Sequence, residues 1–448
     1  MKRTILLLLL AAVAVIVGFP QARIIIEKGE KPSIAVPDFR GSGAAQPFMA
    51  TFNSTLWNEL QNSGQLKMVP KTVYPLSVPQ QPADFKPPAN GRSQGPWLTD
   101  WSGPPVNANS LAFGYTAPQD NQFVLFGWLY NLQQQTPATA QLIGKVYFGT
   151  MDEAGAIKVA REFASDILKQ FGASSLVGSK IYFVSNRTGN KEIWSMDYDG
   201  NNQKQFTSYK SITTFPVVAA DSSKIAFTTF ARGTPQIFIH SLETGRKLTY
   251  YNQQASVNAA SDFTPDSRNL LIYSTAAGGY SQIYETDING GNIHRISNSR
   301  AIDVEPKANP KTGADLVFVS GRGGLPQIYR ISMDGTDVER LTNGEGEAVN
   351  PAWNPDGQHI AFAWTRGFAP GNYNIFVMDV ASRQINQLTH DAGRCENPSW
   401  APDGVHIVYS SKQGSSTQLW TMLVDGTQQQ RLTTQGNNEK PVWSKSAQ

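Results

Sequence analysis

The chain has 448 residues, of which 40% are hydrophobic and only 16% are charged, and it contains 38 glycines and 27 prolines. This length is more than one ordinary core can use, so we expect two domains, one of them a repeat array. The low charge and the many turn-forming residues favour a β protein over a helix bundle. A formal net charge of +3 gives no reason to expect a nucleic-acid partner.

Residues 1–22 have the pattern of a secretory signal peptide. Lys2 and Arg3 precede an apolar run of about fifteen residues, which is short for a membrane span. We place cleavage near Ala22, and an uncleaved N-terminal anchor is the alternative. No cysteine near this junction could accept a lipid, and the single Cys395 can form no internal disulfide. An exported protein of this kind is expected in a bacterial periplasm.

Residues 23–173 predict a small α/β domain. Its first helix is indicated by apolar residues four apart, from Phe48 to Leu60. A second helix follows Thr150, which we expect to cap it, with Glu153 completing a capping box. Between the helices, "LKMVP", "LAFGY", "QFVLFGWLYN" and "LIGKVYFG" are typical of strands.

Two segments of this domain have no regular pattern. Residues 76–107 hold seven prolines, and we predict a long loop there. The stretch "ARIIIEKGE" at 22–30 places three consecutive isoleucines between charges. Such a segment is either the ordinary first strand of the domain or a strand that pairs with another protein.

From residue 178 to residue 448 one pattern occurs six times. In each copy an aliphatic residue is flanked by a polar amide or acid and an aromatic residue, at steps of 44, 46, 45, 47 and 44 residues. These aliphatic residues are Ile193, Ile237, Ile283, Ile328, Ile375 and Leu419. Asx-Gly pairs between the alternating runs, such as Asp334-Gly335, predict two-residue hairpin turns. Four short antiparallel strands in every repeat describe a propeller blade.

The two ends of the repeat region complement each other. The first hairpin, from Ile181, has no proline-aromatic strand before it, and the last such strand, Lys440–Trp443, has no hairpin after it. One shared blade therefore completes the ring. We predict an α/β N-terminal domain followed by an all-β six-bladed β-propeller closed by the C-terminal strand.

Residues that carry chemistry are scarce. "GRSQG" at 91–95 matches the nucleophile-elbow motif, but Ser93 lies in a proline-rich segment without the required strand and helix. His359 and His406 follow equivalent Pro-Asp-Gly turns and are expected to be exposed turn residues. Aspartates at hairpin turns lack the twelve-residue calcium loop. We therefore predict no catalytic, cofactor or metal site.

One position of the repeat differs from copy to copy. It lies just before the proline of the unit's first strand and reads Phe215, Ala260, Glu305, Asn350, Asn397 and Lys440. Because the scaffold repeats and this position does not, we expect a ring of different side chains at the channel mouth, suited to an asymmetric partner. Drift at solvent-exposed positions is the alternative.

These features resemble the TolB family of the Tol-Pal system. The resemblance rests on the signal sequence, the "ARIII" start, "REFASDILKQFG", "SKIYFVSNRTGNKEIWSMDYDGNNQKQFT", and the repeats with "NPAWNPDG" and "NPSWAPDG" that end in "KPVWS". It implies a non-catalytic periplasmic protein without cofactors, peripheral to the membranes, that acts in outer-membrane integrity and constriction during cell division. We also expect a monomer.

The resemblance also implies the partners. The propeller is expected to bind the peptidoglycan-associated lipoprotein Pal, and the N-terminal segment is expected to engage TolA. Combined with the variable ring positions, the expected Pal face consists of Phe215, Val257, Asn258, Ala259, Ala260, Glu305, Asn350, Asn397 and Lys440, and the TolA segment consists of Arg23, Ile24, Ile25 and Ile26. The chain departs from the family in the loop 76–107 and in "ASDFTPDS", where a proline is expected. The rival functions are a secreted propeller enzyme, such as a peptidase or polysaccharide lyase, and a propeller that binds a small ligand.

Overall fold

The structure is a computed structural model that describes residues 31–90, 92–276, 279–390 and 393–444. The predicted signal peptide and the TolA segment at residues 23–26 lie outside the described residues. The chain divides into two compact units, with the main boundary between Ala173 and Ser174. Within the described ranges, no helix has the length and apolar content needed to cross a bilayer.

The first unit contains six strands and four helices, with 3-10 turns at Gly43–Phe48, Lys71–Val73 and Pro82–Asp84. The strands are β1 (Ser33–Ala35), β2 (Arg40–Gly41), β3 (Lys67–Met68), β4 (Ser110–Gln119), β5 (Gln122–Asn131) and β6 (Gln141–Thr150). The helices are α1 (Met49–Asn62), α2 (Leu98–Ser102), α3 (Pro137–Ala140) and α4 (Glu153–Gln170). The predicted strands and both predicted helices are therefore present.

These strands form one mixed sheet in the order β3-β1-β4-β5-β6, with β2 beside β4. Strand β1 pairs in parallel with β3 and β4, whereas β4, β5 and β6 are antiparallel. Phe52 of α1 and Phe163 of α4 both pack against Phe39, with ring centroids 5.5 and 6.0 Å away. One face of the sheet is therefore covered by two helices, as amphipathic elements on a sheet require.

The proline-rich segment 76–107 is largely irregular, as predicted, but it is not a surface loop. Phe85 packs 5.3 Å from the rings of Phe113 and Tyr130, and Trp101 is fully buried beside them. These contacts cover the second face of the sheet. The prolines leave no helical or strand periodicity, so no sequence pattern indicates that the segment forms a core layer.

The start of α4 differs from the prediction. Asp152, not Thr150, is the N-cap, and its carboxylate accepts a hydrogen bond of 2.7 Å from Gly155 N. Thr150 is the last residue of β6, and its hydroxyl donates to the same carboxylate at 2.6 Å. Asp and Thr are both good N-caps. Because β6 extends to Thr150, the helix begins later and Asp152 caps it.

The second unit consists of six four-stranded blades. Blade 1 comprises β10 (Thr213–Val218), β11 (Lys224–Thr229), β12 (Gln236–Ser241) and β13 (Lys247–Leu248), and blade 2 comprises β14 (Asn258–Phe263), β15 (Asn269–Ser274), β16 (Gln282–Asp287) and β17 (His294–Arg295). Blade 3 comprises β18 (Asp303–Ala308), β19 (Asp315–Ser320), β20 (Gln327–Ser332) and β21 (Glu339–Arg340), and blade 4 comprises β22 (Ala348–Trp353), β23 (His359–Trp364), β24 (Asn374–Asp379) and β25 (Ile385–Gln387). Blade 5 comprises β26 (Arg394–Trp400), β27 (His406–Gln413), β28 (Ser416–Leu423) and β29 (Gln430–Arg431), and blade 6 comprises β30 (Asn438–Trp443), β7 (Lys180–Ser185), β8 (Glu192–Asp197) and β9 (Lys204–Gln205).

Blade 6 confirms the predicted closure. The C-terminal strand β30 pairs antiparallel with β7, so that Trp443 lies opposite Ile181 and Asn438 opposite Ser185. Trp443 is 7% exposed, and its indole N–H donates to Ser179 Oγ at 2.9 Å. The last strand of the chain thus completes the sheet begun by the first hairpin.

The polar side chain before the aliphatic residue of each repeat recurs for a specific reason. In blade 3, the hydroxyl of Thr342 accepts a hydrogen bond from Ile328 N at 2.9 Å and donates to Gln327 Oε1 at 2.7 Å. The same hydroxyl-to-side-chain link joins Thr207 to Glu192, Ser297 to Gln282, Thr389 to Asn374 and Thr433 to Gln418. Because buried polar groups need partners, the amide or acid and the hydroxyl recur together.

The hairpin turns differ from the prediction. In blade 3, Gly335 N donates to Ser332 O at 2.9 Å, and Ser332 N donates to Thr336 O at 3.0 Å. The loop therefore has three residues, and Gly335 alone takes a positive φ, of 86°. Asp334 keeps a negative φ, so an Asx-Gly pair here forms a type I turn followed by a left-handed glycine.

Candidate functional site

The first strand of each blade lines a central channel. The residues of these six strands enclose a cavity of about 250 Å³. Each strand contains a β-bulge, at Thr214/Val217, Ala260/Asp262, Val304/Lys307, Val349/Ala352, Glu396/Ser399 and Glu439/Val442. A bulge bends a strand and changes the direction of a side chain, so the repeat contains one such change in every blade.

The bulge places the variable position in an unusual conformation. Five of its six residues have a positive φ, namely Phe215 (53°), Glu305 (55°), Asn350 (54°), Asn397 (53°) and Lys440 (51°). A left-handed residue other than glycine costs on the order of 1 kcal/mol or more and persists where the surroundings enforce it. In blade 2, Ser261 replaces the proline and Ala260 does not adopt a positive φ. We call these six residues the mouth ring.

Three members of the mouth ring are joined by hydrogen bonds. The Glu305 carboxylate accepts from Asn350 N at 2.8 Å and from Asn350 Nδ2 at 3.0 and 3.1 Å. The Asn350 side-chain oxygen then accepts from Asn397 N at 3.3 Å. The bulge frees the backbone N–H groups of Asn350 and Asn397 from the ladder, and a side chain of the preceding blade accepts each hydrogen bond. The polar half of the ring is therefore fixed by its own neighbours.

The other half of the mouth ring is aromatic and cationic. Lys440 Nζ lies 4.1 Å from the centroid of the Phe215 ring. Phe215 in turn meets Tyr273 edge to face, with centroids 6.1 Å apart. Burial raises the pKa of Tyr273, and the Glu305 carboxylate adds to the shift. The phenol therefore stays protonated at any physiological pH.

A second ring of side chains lies one step along the same strands. It consists of Val217, Asp262, Lys307, Ala352, Ser399 and Val442. Burial raises the pKa of Asp262, a shift that the Lys307 ammonium and the N–H of Ala308 oppose. Lys307 itself donates to the Ser261 carbonyl. The two charged residues of the second ring, Asp262 and Lys307, therefore lie in neighbouring blades, and their charges compensate each other.

The predicted Pal-face residues do not all line the cavity in the same way. Five of the mouth ring (Phe215, Glu305, Asn350, Asn397 and Lys440) are half-buried and line it. The stretch Val257–Ala260 is mostly inaccessible, because Asn258 and Ala260 are 0% exposed and Ala259 is 4% exposed. Only Val257 of this stretch is partly exposed. The three buried residues shape the wall and offer no free side chain to a partner.

A family model described as "TolB beta propeller domain" matches residues 169–446 of the chain. The chain belongs to the TolB propeller family. The matched region contains all six blades and the whole mouth ring. The resemblance in sequence is thus confirmed at the level of the family.

Curated TolB relatives align with parts of the chain. The chain is 36% identical over 170 residues to the Protein TolB homolog of Chlorobium chlorochromatii strain CaD3, which covers 38% of this chain and 37% of that protein. It is 29% identical over 279 residues to the Tol-Pal system protein TolB of Bordetella pertussis strain Tohama I, which covers 62% of this chain and 56% of that protein. The chain therefore spans about a third of the length of the first relative and just over half of the second.

A solved TolB structure has the same fold. The crystal structure of TolB from Acinetobacter baumannii superposes with a TM-score of 0.74 and 23% sequence identity, and it covers 93% of this chain and 97% of that one. At this identity the likeness establishes the fold. Because it extends over nearly the whole chain, it includes the α/β unit as well as the TolB propeller.

The other residues considered in this TolB-family chain form no catalytic arrangement. Ser93 is exposed, and its hydroxyl donates to Gly95 O at 3.0 Å within its own turn. Within the described ranges, no three His, Cys, Asp or Glu side chains lie close enough to share a metal ion. The prediction of exposed turn residues is wrong for both histidines: His359 is a half-buried first residue of β23, and His406 is buried in β27 with its Nδ1 2.6 Å from Asp403 Oδ2.

His240 of β12 occupies a half-buried aromatic site beside the connection from blade 6 to blade 1. Its ring centroid lies 5.2 Å from that of Phe227, and its Nε2 lies 2.7 Å from the Tyr209 hydroxyl oxygen. Burial lowers the pKa of His240, and the Lys247 ammonium lowers it further. The neutral imidazole is therefore the form that fits the fold.

We expect this histidine to make the propeller less stable in mild acid. Unfolded histidine has a pKa of about 6.5, so the unfolded chain binds the proton more tightly than the folded chain does. Stability is then full above that pKa and is lost as the pH falls toward the lower folded value. Urea midpoints at pH 7.5 and 5.5 should differ less for His240→Gln than for the wild type. An equal difference in both proteins would contradict this expectation.

Proposed function

We propose that this chain is a non-catalytic periplasmic scaffold of the Tol-Pal system that binds the lipoprotein Pal through the mouth ring of its propeller. Its N-terminal segment at residues 23–26 would engage TolA, and the complex would support outer-membrane integrity and constriction during division. The observation that carries the proposal is the mouth ring: six residues of five different types, five of them held in a left-handed conformation around one channel. Strain of this kind is kept where a site needs it.

The surroundings of the mouth support a protein partner. Ile212, Phe230, Tyr280, Ile302 and Leu325 are each roughly one-third to one-half exposed. All five lie before the first strand or between the second and third strands of blades 1–3, which is the same end of those blades. Large apolar side chains gathered at one end of a soluble domain favour a protein-docking surface.

The proposed TolA contact rests on the residue types of the segment alone. Three consecutive isoleucines after Arg23 have high strand propensity and suit pairing with the edge of another sheet. Two partners at two separate sites would let the scaffold transmit the state of one to the other.

Charge reversal at Glu305 tests the Pal contact. Glu305→Arg should weaken binding of the purified periplasmic domain of the cognate Pal by about ten-fold or more, because a charge fixed at the centre of the site is inverted. Isothermal titration calorimetry would measure the affinity, and a thermal melt would check the fold. The matched control is Glu243→Arg, since Glu243 is an exposed acid on the hairpin at the other end of blade 1.

The same assay separates the two partners. A chain without residues 23–26 should bind Pal normally and fail to retain the periplasmic domain of TolA. Unchanged Pal affinity in Glu305→Arg would remove the mouth ring from the Pal site. Undiminished capture of TolA by the shortened chain would remove the segment from that role.

A further inference from the structure

We propose that Glu305 and Lys440 act as a pair of opposite poles that fix the rotational orientation of the docked partner. This inference rests on the proposed function, because it concerns the same mouth ring. The partner surface would place a basic group toward blade 3 and an acidic group toward blade 6. Glu305 and Lys440 would then determine orientation as well as affinity.

The need for such a device follows from the fold. Six blades of nearly equal length surround the channel, and their scaffold residues repeat. A partner centred on the channel could therefore settle in any of six orientations, each one blade apart. Only positions that differ between blades can favour one of them, and the mouth ring is such a set of positions.

The charges in the ring are arranged as two poles. In blade order the ring reads Phe215, Ala260, Glu305, Asn350, Asn397 and Lys440. Glu305 and Lys440 are its two charged members, and they are three blades apart in a ring of six. They therefore lie on opposite sides of the mouth. In the second ring, by contrast, Asp262 and Lys307 occupy adjacent blades, so their fields largely cancel across the channel.

Both poles are held in place before a partner arrives. The Glu305 carboxylate accepts three hydrogen bonds from Asn350, at 2.8, 3.0 and 3.1 Å. The Lys440 ammonium lies 4.1 Å from the centre of the Phe215 ring. Side chains that are already ordered lose little entropy on binding, so their direction can select an orientation.

The cavity is lined by the mouth ring itself, and its volume is about 250 Å³. A partner can thus insert little more than a side chain, and the rest of its contact surface must meet the ring from outside. There the two poles face it directly.

Exchanging the two charges tests the proposal. The variants are Glu305→Lys, Lys440→Glu and the double exchange, which keeps the net charge and reverses the poles. The chain itself indicates that these residues are tolerated, because Glu and Lys already occupy equivalent left-handed positions, with φ of 55° and 51°. A thermal melt of each variant checks that the propeller is folded. The probe is the purified periplasmic domain of the cognate Pal, titrated at low and at high salt.

Opposite outcomes separate orientation from net charge. Each single exchange should weaken binding about ten-fold, whereas the double exchange should recover most of the affinity, because the partner can turn by three blades and meet both poles again. Added salt should reduce these differences. Site-directed cross-linking to one position of Pal should then move from blade 1 in the wild type to blade 4 in the double exchange, or the reverse, and an unchanged cross-linking pattern would overturn the proposal. Failure of the wild type to bind Pal would instead overturn the proposed function.

Discussion

A chain that ends at Asn437 is expected to lose the folded propeller. It lacks β30, so β7 loses its partner strand, and the apolar cluster around Ile181 and Phe183 is opened to water. The net stability of a domain is only about 5–15 kcal/mol, and the loss of a whole strand with its buried tryptophan is of the same order. Near-UV circular dichroism during urea unfolding should show the transition of the α/β unit and no cooperative transition of the propeller.

Two further chains make this experiment decisive. A chain that ends at Ser444 keeps β30 and should unfold cooperatively like the full chain. Trp443→Ala keeps the strand but removes its buried ring, and it should lose about 3–5 kcal/mol of stability. A cooperative propeller transition in the chain that ends at Asn437 would show that the ring does not depend on its closing strand.

Asp303→Ala is expected to cost about 3–5 kcal/mol of unfolding free energy. The Asp303 carboxylate is completely buried and accepts hydrogen bonds from Ser320 Oγ (2.6 Å), Ser299 Oγ (2.8 Å) and Arg322 Nη2 (3.0 Å). Its removal leaves a largely buried guanidinium without its counter-charge, which is the costly way to break a buried ion pair. Denaturant unfolding of the wild type and the variant gives the difference.

The chain provides its own control for this experiment. In blade 6 the equivalent residue is Asn438, whose side-chain oxygen accepts from Arg187 Nη2 at 3.0 Å, while Arg187 Nε donates to Ser185 Oγ at 3.0 Å. An asparagine is thus compatible with the same arginine and serine. Asp303→Asn should therefore cost only about 1 kcal/mol. A large loss in Asp303→Asn, or a negligible one in Asp303→Ala, would contradict this account.

The blade count and the closure could be predicted because both depend on spacing. A period near 45 residues needs no knowledge of contacts, and the unpaired strand at each end shows where the ring closes. The position of the mouth ring was predictable for the same reason, since a proline marks it in five blades. Proline also removes a backbone donor from the ladder and so suits the bulge in those five blades, while blade 2 has the same bulge with Ser261 at this position.

The interactions within the ring could not be predicted. The hydrogen bonds from Asn350 and Asn397 to the side chains of preceding blades depend on a left-handed backbone that the residue types do not reveal. The family resemblance places Asn258 on the expected Pal face, yet this residue is buried, and its Nδ2 donates to Asn252 Oδ1 at 3.1 Å. Burial of this kind depends on neighbours that only the folded blade brings together.

The hidden second face of the α/β unit was missed for another reason. Phe85 and Trp101 lie in a segment without a period, and hydrophobic periodicity is the signal on which sequence interpretation depends. Aromatic residues among prolines do indicate burial, but they do not indicate which surface they cover. The contact with Phe113 and Tyr130 followed only from the structure.

Pairing of the first hairpin with the last strand also determines when the propeller can form. Strands β7 and β30 are more than 250 residues apart in the chain, so the contact that completes blade 6 is among the most distant in sequence. A polypeptide delivered from its N terminus cannot make that contact until synthesis or export has reached its final residues. A prematurely terminated copy would keep an exposed edge strand and a gap in its ring, which proteases and chaperones recognise. Folding of the propeller therefore depends on the presence of β30.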